Sequence, residues 1–329
     1  MESYCLDVVV TRGSTVESRH RVHAAVVGPH GALLGRAGDS GIMTVWRSCA
    51  KPFQVMPFLA DGSFDELGWG DDELALACAS HGGEPEHVAI AESMLRAIGL
   101  EEGDLACGVH DPLSARGLRL AHESRTLLTR VHNNCSGKHA AMLARAHVAG
   151  WETAGYERDT HPVQRAVVET IAEWTGLPAD ALQLGVDGCA LPIVACPLDD
   201  MARAFARFAV ATARGDEVPA RIAHAMTARP FLVGGTDRFD TILIEETHGR
   251  VVAKVGAEGV HAAAIPELGI GIALKVEDGA QRAQYPALIR LLQHIGALPE
   301  SLSARLADQI VKPIRNTRNA VVGSIGPMA

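Results

Sequence analysis

The chain is 329 residues long with a formal net charge of −9, and 47% of it is hydrophobic although only 4% is aromatic. That length and apolar content allow a sizeable core built mainly from Ala, Val, Leu and Ile. The acidic balance, with no run of Lys and Arg, argues against nucleic acid or an anionic membrane surface as partner, and no apolar segment approaches the roughly 20 residues that span a bilayer.

Residues 1–46 read as sheet. The stretch 7–12 alternates with β-branched residues, and 20–27 and 32–36 flank Gly28-Pro29-His30-Gly31, a hairpin signal. Residues 43–46 form a further short strand. From Ser48 the period becomes helical, with Val55, Met56 and Leu59 on one face and Asp61-Gly62 as the stop. Helical spacing continues through 71–79, 84–98, 136–148, 162–174 and 198–212, while 182–186 reads as a short strand or turn edge. Sheet character returns at 241–245, 251–255, 259–265 and 270–276. A long amphipathic helix over 280–295 and a closing strand at 319–325 complete the pattern. No repeat, low-complexity tract or linker interrupts the chain. The expected organisation is therefore a single domain over 1–329, with one sheet made from the two ends and a helical middle over about 48–230. Short connections near the C-terminus make the strands largely antiparallel, so the expected class is α/β of the α+β kind, a three-layer αβα sandwich.

The N-terminus, Met1-Glu2-Ser3-Tyr4-Cys5-Leu6-Asp7, lacks the basic start and apolar stretch of a secretory signal. Seven cysteines without such a signal do not suggest a disulfide framework, and the expected compartment is the cytoplasm. Cys78, Cys107 and Cys196 read as small buried hydrophobes.

Lysine is scarce: five stand against twenty-five arginines. Three of the five, Lys51, Lys138 and Lys254, lie in motifs rich in small and polar residues. Arg stays charged at any accessible pH, whereas a buried lysine can lose its proton and act as a base. Ser48 and Lys51 are one helical turn apart at a strand-to-helix junction, the Ser-x-x-Lys spacing of serine acyltransferases. Spacing alone equally allows Ser48 to cap the helix with Lys51 at the surface. Ser80-His81-Gly82-Gly83-Glu84 joins two helices, as a ligand loop or as an ordinary capping loop. Asn133-Asn134-Cys135-Ser136-Gly137-Lys138-His139 gathers polar groups at a helix start, and Asp187-Gly188-Cys189 offers a second lone cysteine. Two separated cysteines are too few for a four-ligand structural zinc site, but can serve an open one; buried thiols are the plainer reading. Lys254 in an apolar strand is either functional or at a strand end.

Seven strings occur in order: RSCAKPFQ, ASHGGE, CGVH, NNCSGKHAAML, VDGCALP, KVGAEGV and LKVEDGAQRA. Together they resemble the bacterial L-asparaginase II family of the rhizobial inducible type, along nearly the whole chain. The resemblance implies a fold like serine β-lactamases and the related glutaminases, and hydrolysis of L-asparagine to L-aspartate and ammonia. It implies two Ser-Lys pairs, Ser48 with Lys51 and Ser80 with Lys254, and a zinc site from Cys135, Lys138 and Cys189 that tunes substrate binding without generating the nucleophile. Arg47, His139 and Asp187, beside matched positions, are carried as substrate-orienting residues. The resemblance also implies a homodimer.

On this reading one serine, with its lysine as base, attacks the side-chain amide, ammonia leaves, and water hydrolyses the acyl-enzyme. Mutual closeness of Lys51 and Lys254 would favour their uncharged forms. Helix geometry favours Ser48 as nucleophile. A β-lactamase or peptidase on the same scaffold is the rival enzyme, but neither a Ser-Asp-Asn nor a Lys-Thr-Gly companion motif is present. A non-catalytic sensor of asparagine or zinc is the non-enzymatic alternative.

Overall fold

A mostly apolar run reads as a strand buried on both faces, and three such runs, Val22–Val27, Val260–Ile265 and Ile270–Val276, interrupted only by His23, His261 and Lys275, form the centre of the first sheet. The computed structural model describes residues 1–328. The chain divides into two compact units, the first from Met1–Cys49, Cys196–Ala213 and the segment from Ile242 onward, the second from Ala50–Ala195 and Arg214–Thr241.

In the first unit the sheet has six strands, in the order Glu2–Tyr4, Leu33–Ala37, Val22–Val27, Ile270–Val276, Val260–Ile265 and Val252–Val255. All neighbours are antiparallel except Glu2–Tyr4, which runs parallel to Leu33–Ala37. Two helices cover it, and the strand period shows that they lie on opposite faces. His261 stands opposite Leu274, so both point the same way. Toward that face comes helix Gln281–His294, whose Gln284 Nε2 lies 3.4 Å from His261 Nδ1. Gly271 has the other parity. A Cβ there would sit 2.0 Å from Ala206 N and 2.3 Å from Ala202 O, so helix Leu198–Arg214 lies directly on the strand. The result is the three-layer αβα arrangement with a largely antiparallel sheet. Gly271→Ala is expected to cost about 1–3 kcal/mol or more, because backbone rather than a flexible side chain must yield. A lowered thermal midpoint checks this, and an unchanged midpoint contradicts so close an approach.

The ends of the chain build a second sheet as well, where one was expected. Its order is Lys312–Arg315, Val321–Pro327, Val8–Arg12 and Thr15–His20, all antiparallel. The expected strand over 20–27 is in fact two pieces. Thr15–His20, mostly exposed, pairs with Val8–Arg12, and after Arg21 the fully buried Val22–Val27 enters the six-stranded sheet. A one-sided strand and a two-sided one meet at Arg21, and the change in burial marks the change of sheet. Residues 241–245 are helical rather than extended, within helix Phe239–Glu246. Phe239 to Leu243 are all buried, and a short apolar run hides which period it follows.

The second unit is helical: Lys51–Ala60, Asp71–Ala77, Pro85–Ala97, Ala115–Glu123, Ser136–Val148, Pro162–Thr175 and Glu217–Ala228, with a hairpin in which Gln183–Val186 pairs with residues 192–195. Helix Ser136–Val148 is its axis, buried at every position from Ser136 to Ala146 and flanked by four of the others. Gly137 lets it start against helix Asp71–Ala77, since a Cβ there would meet Leu76 O at 2.4 Å. Among the described residues no helix is long and apolar enough to cross a membrane.

Candidate active site

Helix Lys51–Ala60 opens on its lysine, with Ala50 as a cap residue that supplies no side-chain hydrogen bond. Ser48 precedes it on the turn Arg47–Ala50 and so does not cap it. Lys51 has 0% exposure. A buried ammonium needs partners, and Nζ has three oxygens, Ala79 O in a short contact, Ser80 Oγ at 3.1 Å and Asn134 O at 3.3 Å, with the Cys135 thiol beside them. The first two lie just past helix Asp71–Ala77, where Ser80 N donates to Val233 O at 3.0 Å. The third sits in the loop before helix Ser136–Val148. Spacing ties Lys51 to Ser48; the serine hydroxyl it meets within this unit is that of Ser80.

The rest of the Ser80 loop is scaffold. His81 Nδ1 accepts from Gly83 N at 3.2 Å, and Nε2 faces Ser136 Oγ at 2.9 Å. Ser136 Oγ itself donates to Val131 O at 2.9 Å, so His81 is neutral with its proton on Nε2. Burial, then the charges of His87 and Lys51, hold its pKa well below the ordinary histidine value. Glu84 is buried on Arg116 Nη1 at 2.5 Å, Thr236 N at 2.7 Å and Thr236 Oγ1 at 2.8 Å.

Cys135, Lys138, Asp187 and Cys189 form one polar cluster in the same unit. Lys138 Nζ donates to Cys189 Sγ at 3.2 Å, Cys189 Sγ reaches Asp187 Oδ2 at 3.6 Å, and Cys135 Sγ reaches Asn134 Oδ1 at 3.5 Å. The two thiols share one easily lost proton. A hydrogen bond from Cys189, with the charges of Lys51 and Lys138, brings Cys135 below the usual thiol range against the effect of burial. Its bond to Cys135, then burial, raises Cys189 in turn. Burial works to lower the Lys138 pKa, but the charges of Cys135, Cys189 and Asp187 outweigh it and leave it raised. Among the described residues no three His, Cys, Asp or Glu side chains form a metal-binding group. Two thiols completed by an amine nevertheless suit zinc chemically, as soft sulfur and nitrogen donors. Tetrahedral ligands of zinc stand about 3.5 Å apart, close to the Lys138–Cys189 separation.

His139 is fully buried and oriented by Tyr156, whose OH accepts from Ala106 N at 2.9 Å and faces His139 Nδ1 at 2.5 Å. Burial raises the tyrosine, so it keeps its proton and donates it to Nδ1. Nε2 then carries the ring proton and has no partner among the described residues. Burial, then Lys138 and Lys51, keep the ring uncharged.

Arg47, Ser48 and Lys254 belong to the first unit. Arg47 adopts a left-handed φ of +49°, which turns the chain sharply just before Ser48. Cys49 N donates to Trp46 O at 3.1 Å, and Cys49 Sγ donates to Lys254 O at 3.0 Å, binding this turn to the strand that carries Lys254. Lys254 is fully buried and its Nζ donates to Val255 O at 2.9 Å. The structure thus gathers Lys51, Ser80, Cys135, Lys138, His139, Asp187 and Cys189 in one unit, and Arg47, Ser48 and Lys254 in the other. The sequence reading did not single out Asn134 or Ala79, whose backbone carbonyls hold Lys51; a carbonyl leaves no residue-type signal.

Comparison with known families places the chain among amidohydrolases, as an amidase-type enzyme. Residues 8–327 match the L-asparaginase II family model, and the chain belongs to that family. No curated protein matches it in sequence. Among solved structures it is similar to Mglu in its native form (16% identity, TM-score 0.47, covering 89% of this chain and 69% of that one). It is also similar to a β-lactamase from Mycobacterium bovis (14%, TM-score 0.41, covering 84% and 96%). A third such structure is a Bacillus glutaminase (14%, TM-score 0.35, covering 84% and 91%).

Proposed function

We propose that this protein hydrolyses the side-chain amide of L-asparagine to L-aspartate and ammonia, through an acyl-enzyme on a serine served by a lysine. The observation that carries the reading is the fully buried Lys51 amine 3.1 Å from Ser80 Oγ. Two of its other contacts are carbonyls, which only accept, so two N–H bonds are committed to Ala79 O and Asn134 O. The side of the amine away from those carbonyls meets Ser80 Oγ, with the Cys135 thiol next to it. As an ammonium, Lys51 donates there; as an amine, it turns its lone pair to the serine O–H. That position is where a proton passes between oxygen and nitrogen.

Ser80 Oγ attacks the amide carbon as its proton moves to Lys51 Nζ. The C–N bond breaks as Lys51 returns the proton to the leaving nitrogen, and ammonia departs. Water, deprotonated by the same amine, then cleaves the ester. Ser48 and Lys254, with Arg47, are the second hydroxyl and amine of this reading. His139, with its unpartnered Nε2–H, and Asp187 are its substrate-orienting groups in the unit of Ser80.

Cys135, Lys138 and Cys189 would hold zinc. When bound, the ion supplies fixed positive charge that orients an anionic substrate. The residues must give up protons to bind it, and Lys138 in particular is held protonated by the thiols and Asp187, so uptake weakens as pH falls. Cys189→Ala is expected to reduce bound zinc from about one ion per chain to almost none, read by elemental analysis after dialysis. Full retention of zinc by that variant contradicts the assignment. A homodimer working in the cytoplasm completes the reading. Ammonia release with asparagine and with glutamine tests the function. Turnover of asparagine is expected, release from glutamine alone would redirect the substrate, and release from neither would leave a binding protein.

A further inference from the structure

Lys51 holds its third contact through a residue that is itself gripped from outside the loop. Asn134 N donates to His110 Nε2 at 2.9 Å, and this backbone bond is the grip; the 3.1 Å approach of the same nitrogen to Asn134 Oδ1 joins two acceptors and adds no bond. His110 Nδ1 faces the carbonyl of Asp111 at 2.7 Å, so in the neutral ring Nδ1 carries the proton and Nε2 is the acceptor. A neighbouring pair closes the same junction: Asn133 Nδ2 donates to Gly108 O at 2.7 Å, and Cys135 N donates to Asn133 Oδ1 at 2.9 Å.

These bonds divide the work cleanly. The Asn134 N–H belongs to the peptide plane before its Cα, and the Cys135 N–H belongs to the plane after it, the plane that contains Asn134 O. His110 fixes the first plane and Asn133 Oδ1 the second. Two soft dihedrals separate them, so both must be held for the carbonyl to point at Lys51. At 3.3 Å that hydrogen bond is the longest the amine makes to an oxygen.

We propose that His110 is a positioning residue for the Lys51 amine, acting through Asn134. The inference rests on the amidohydrolase reading above. Without His110, Asn134 O turns away, one N–H of a buried amine loses its acceptor, and the amine is no longer held in place against Ser80. The substrate is not touched, so binding is unaffected.

The test compares His110→Phe, which keeps the ring and loses both polar atoms, with His110→Gln, whose amide oxygen can accept from Asn134 N–H while its NH2 donates to Asp111 O. In the Phe variant kcat for asparagine is expected to fall about tenfold to a hundredfold with KM unchanged, the scale of one hydrogen bond to a charged group. The Gln variant is expected to recover most of that loss. If the Phe variant does not fold, His110→Asn, too short to reach Asn134, takes its place. Crystal structures give a second readout, with the hydrogen bond from Lys51 to Asn134 O broken in Phe and kept in Gln. Unchanged kcat in Phe, a Gln variant as impaired as Phe, or an intact Lys51–Asn134 hydrogen bond in Phe overturns the proposal. Should the wild type release no ammonia from any amide, the functional reading fails, while the crystallographic comparison still decides the positioning role.

Discussion

Lys51→Arg is expected to abolish asparagine turnover although it keeps the positive charge, and Lys51→Met to do the same. The two variants separate proton chemistry from electrostatics. Methionine has nearly the length of lysine and fills the same buried space, but withdraws the donor from Ala79 O and Asn134 O and the amine from Ser80 Oγ. Each such loss costs about 1–3 kcal/mol of stability, so a lowered thermal midpoint should accompany the methionine variant. Arginine restores charge and donors, yet has no neutral form at working pH and cannot accept the serine proton. General-base contributions run to about 10²–10⁴ in rate, and both variants should lose at least that much in kcat/KM. Steady-state ammonia release measures it. An arginine variant within about tenfold of wild type would mean that Lys51 acts only as a charge.

Ser80→Ala should cost more still. Removing a nucleophile from a coupled catalytic set typically lowers kcat by about 10⁴–10⁶. Intact-protein mass spectrometry during turnover, or with a slow amide analogue, should find the acyl adduct on wild type and on Ser48→Ala, and none on Ser80→Ala. Ser48→Ala is expected to slow the reaction without removing the adduct. The Lys51 amine lies on the Ser80 hydroxyl, whereas the turn of Ser48 is bound through Cys49 to the strand of Lys254. An adduct on Ser48 alone would return the nucleophile to the position that the one-turn spacing favours.

What could be read in the sequence follows from how far each signal reaches. Helix Ser136–Val148 was legible to the residue, because a polar start and a long regular run are local properties. The hairpin between Val22–Val27 and Leu33–Ala37 was legible from its turn residues. The split into two sheets was not, since the change at Arg21 shows only when pairing partners are known. Residues 241–245 misled because four buried residues in a row, Thr241 to Ile244, erase the period that separates helix from strand. In the site, scarcity of lysine pointed to Lys51, Lys138 and Lys254, and family likeness grouped the cysteines with Lys138. Neither revealed that Lys51 meets Ser80, or that Lys138 meets Cys189, because those contacts join distant parts of the chain. His110 ends the string CGVH, but its contact is with one backbone N–H, which leaves no residue-type signal.

The pairing of Ala24 with Leu274 has a consequence for the order of synthesis. Strand Val22–Val27 leaves the ribosome early and finds Leu33–Ala37 at once, but its other edge stays open until Ile270–Val276 arrives. The helical residues between are translated in full during that wait. A bare, largely apolar edge, with His23 its one polar residue, held open for so long invites pairing with a neighbouring nascent chain. Expression yield should therefore respond strongly to chaperone supply, and truncations ahead of Ile270 should aggregate.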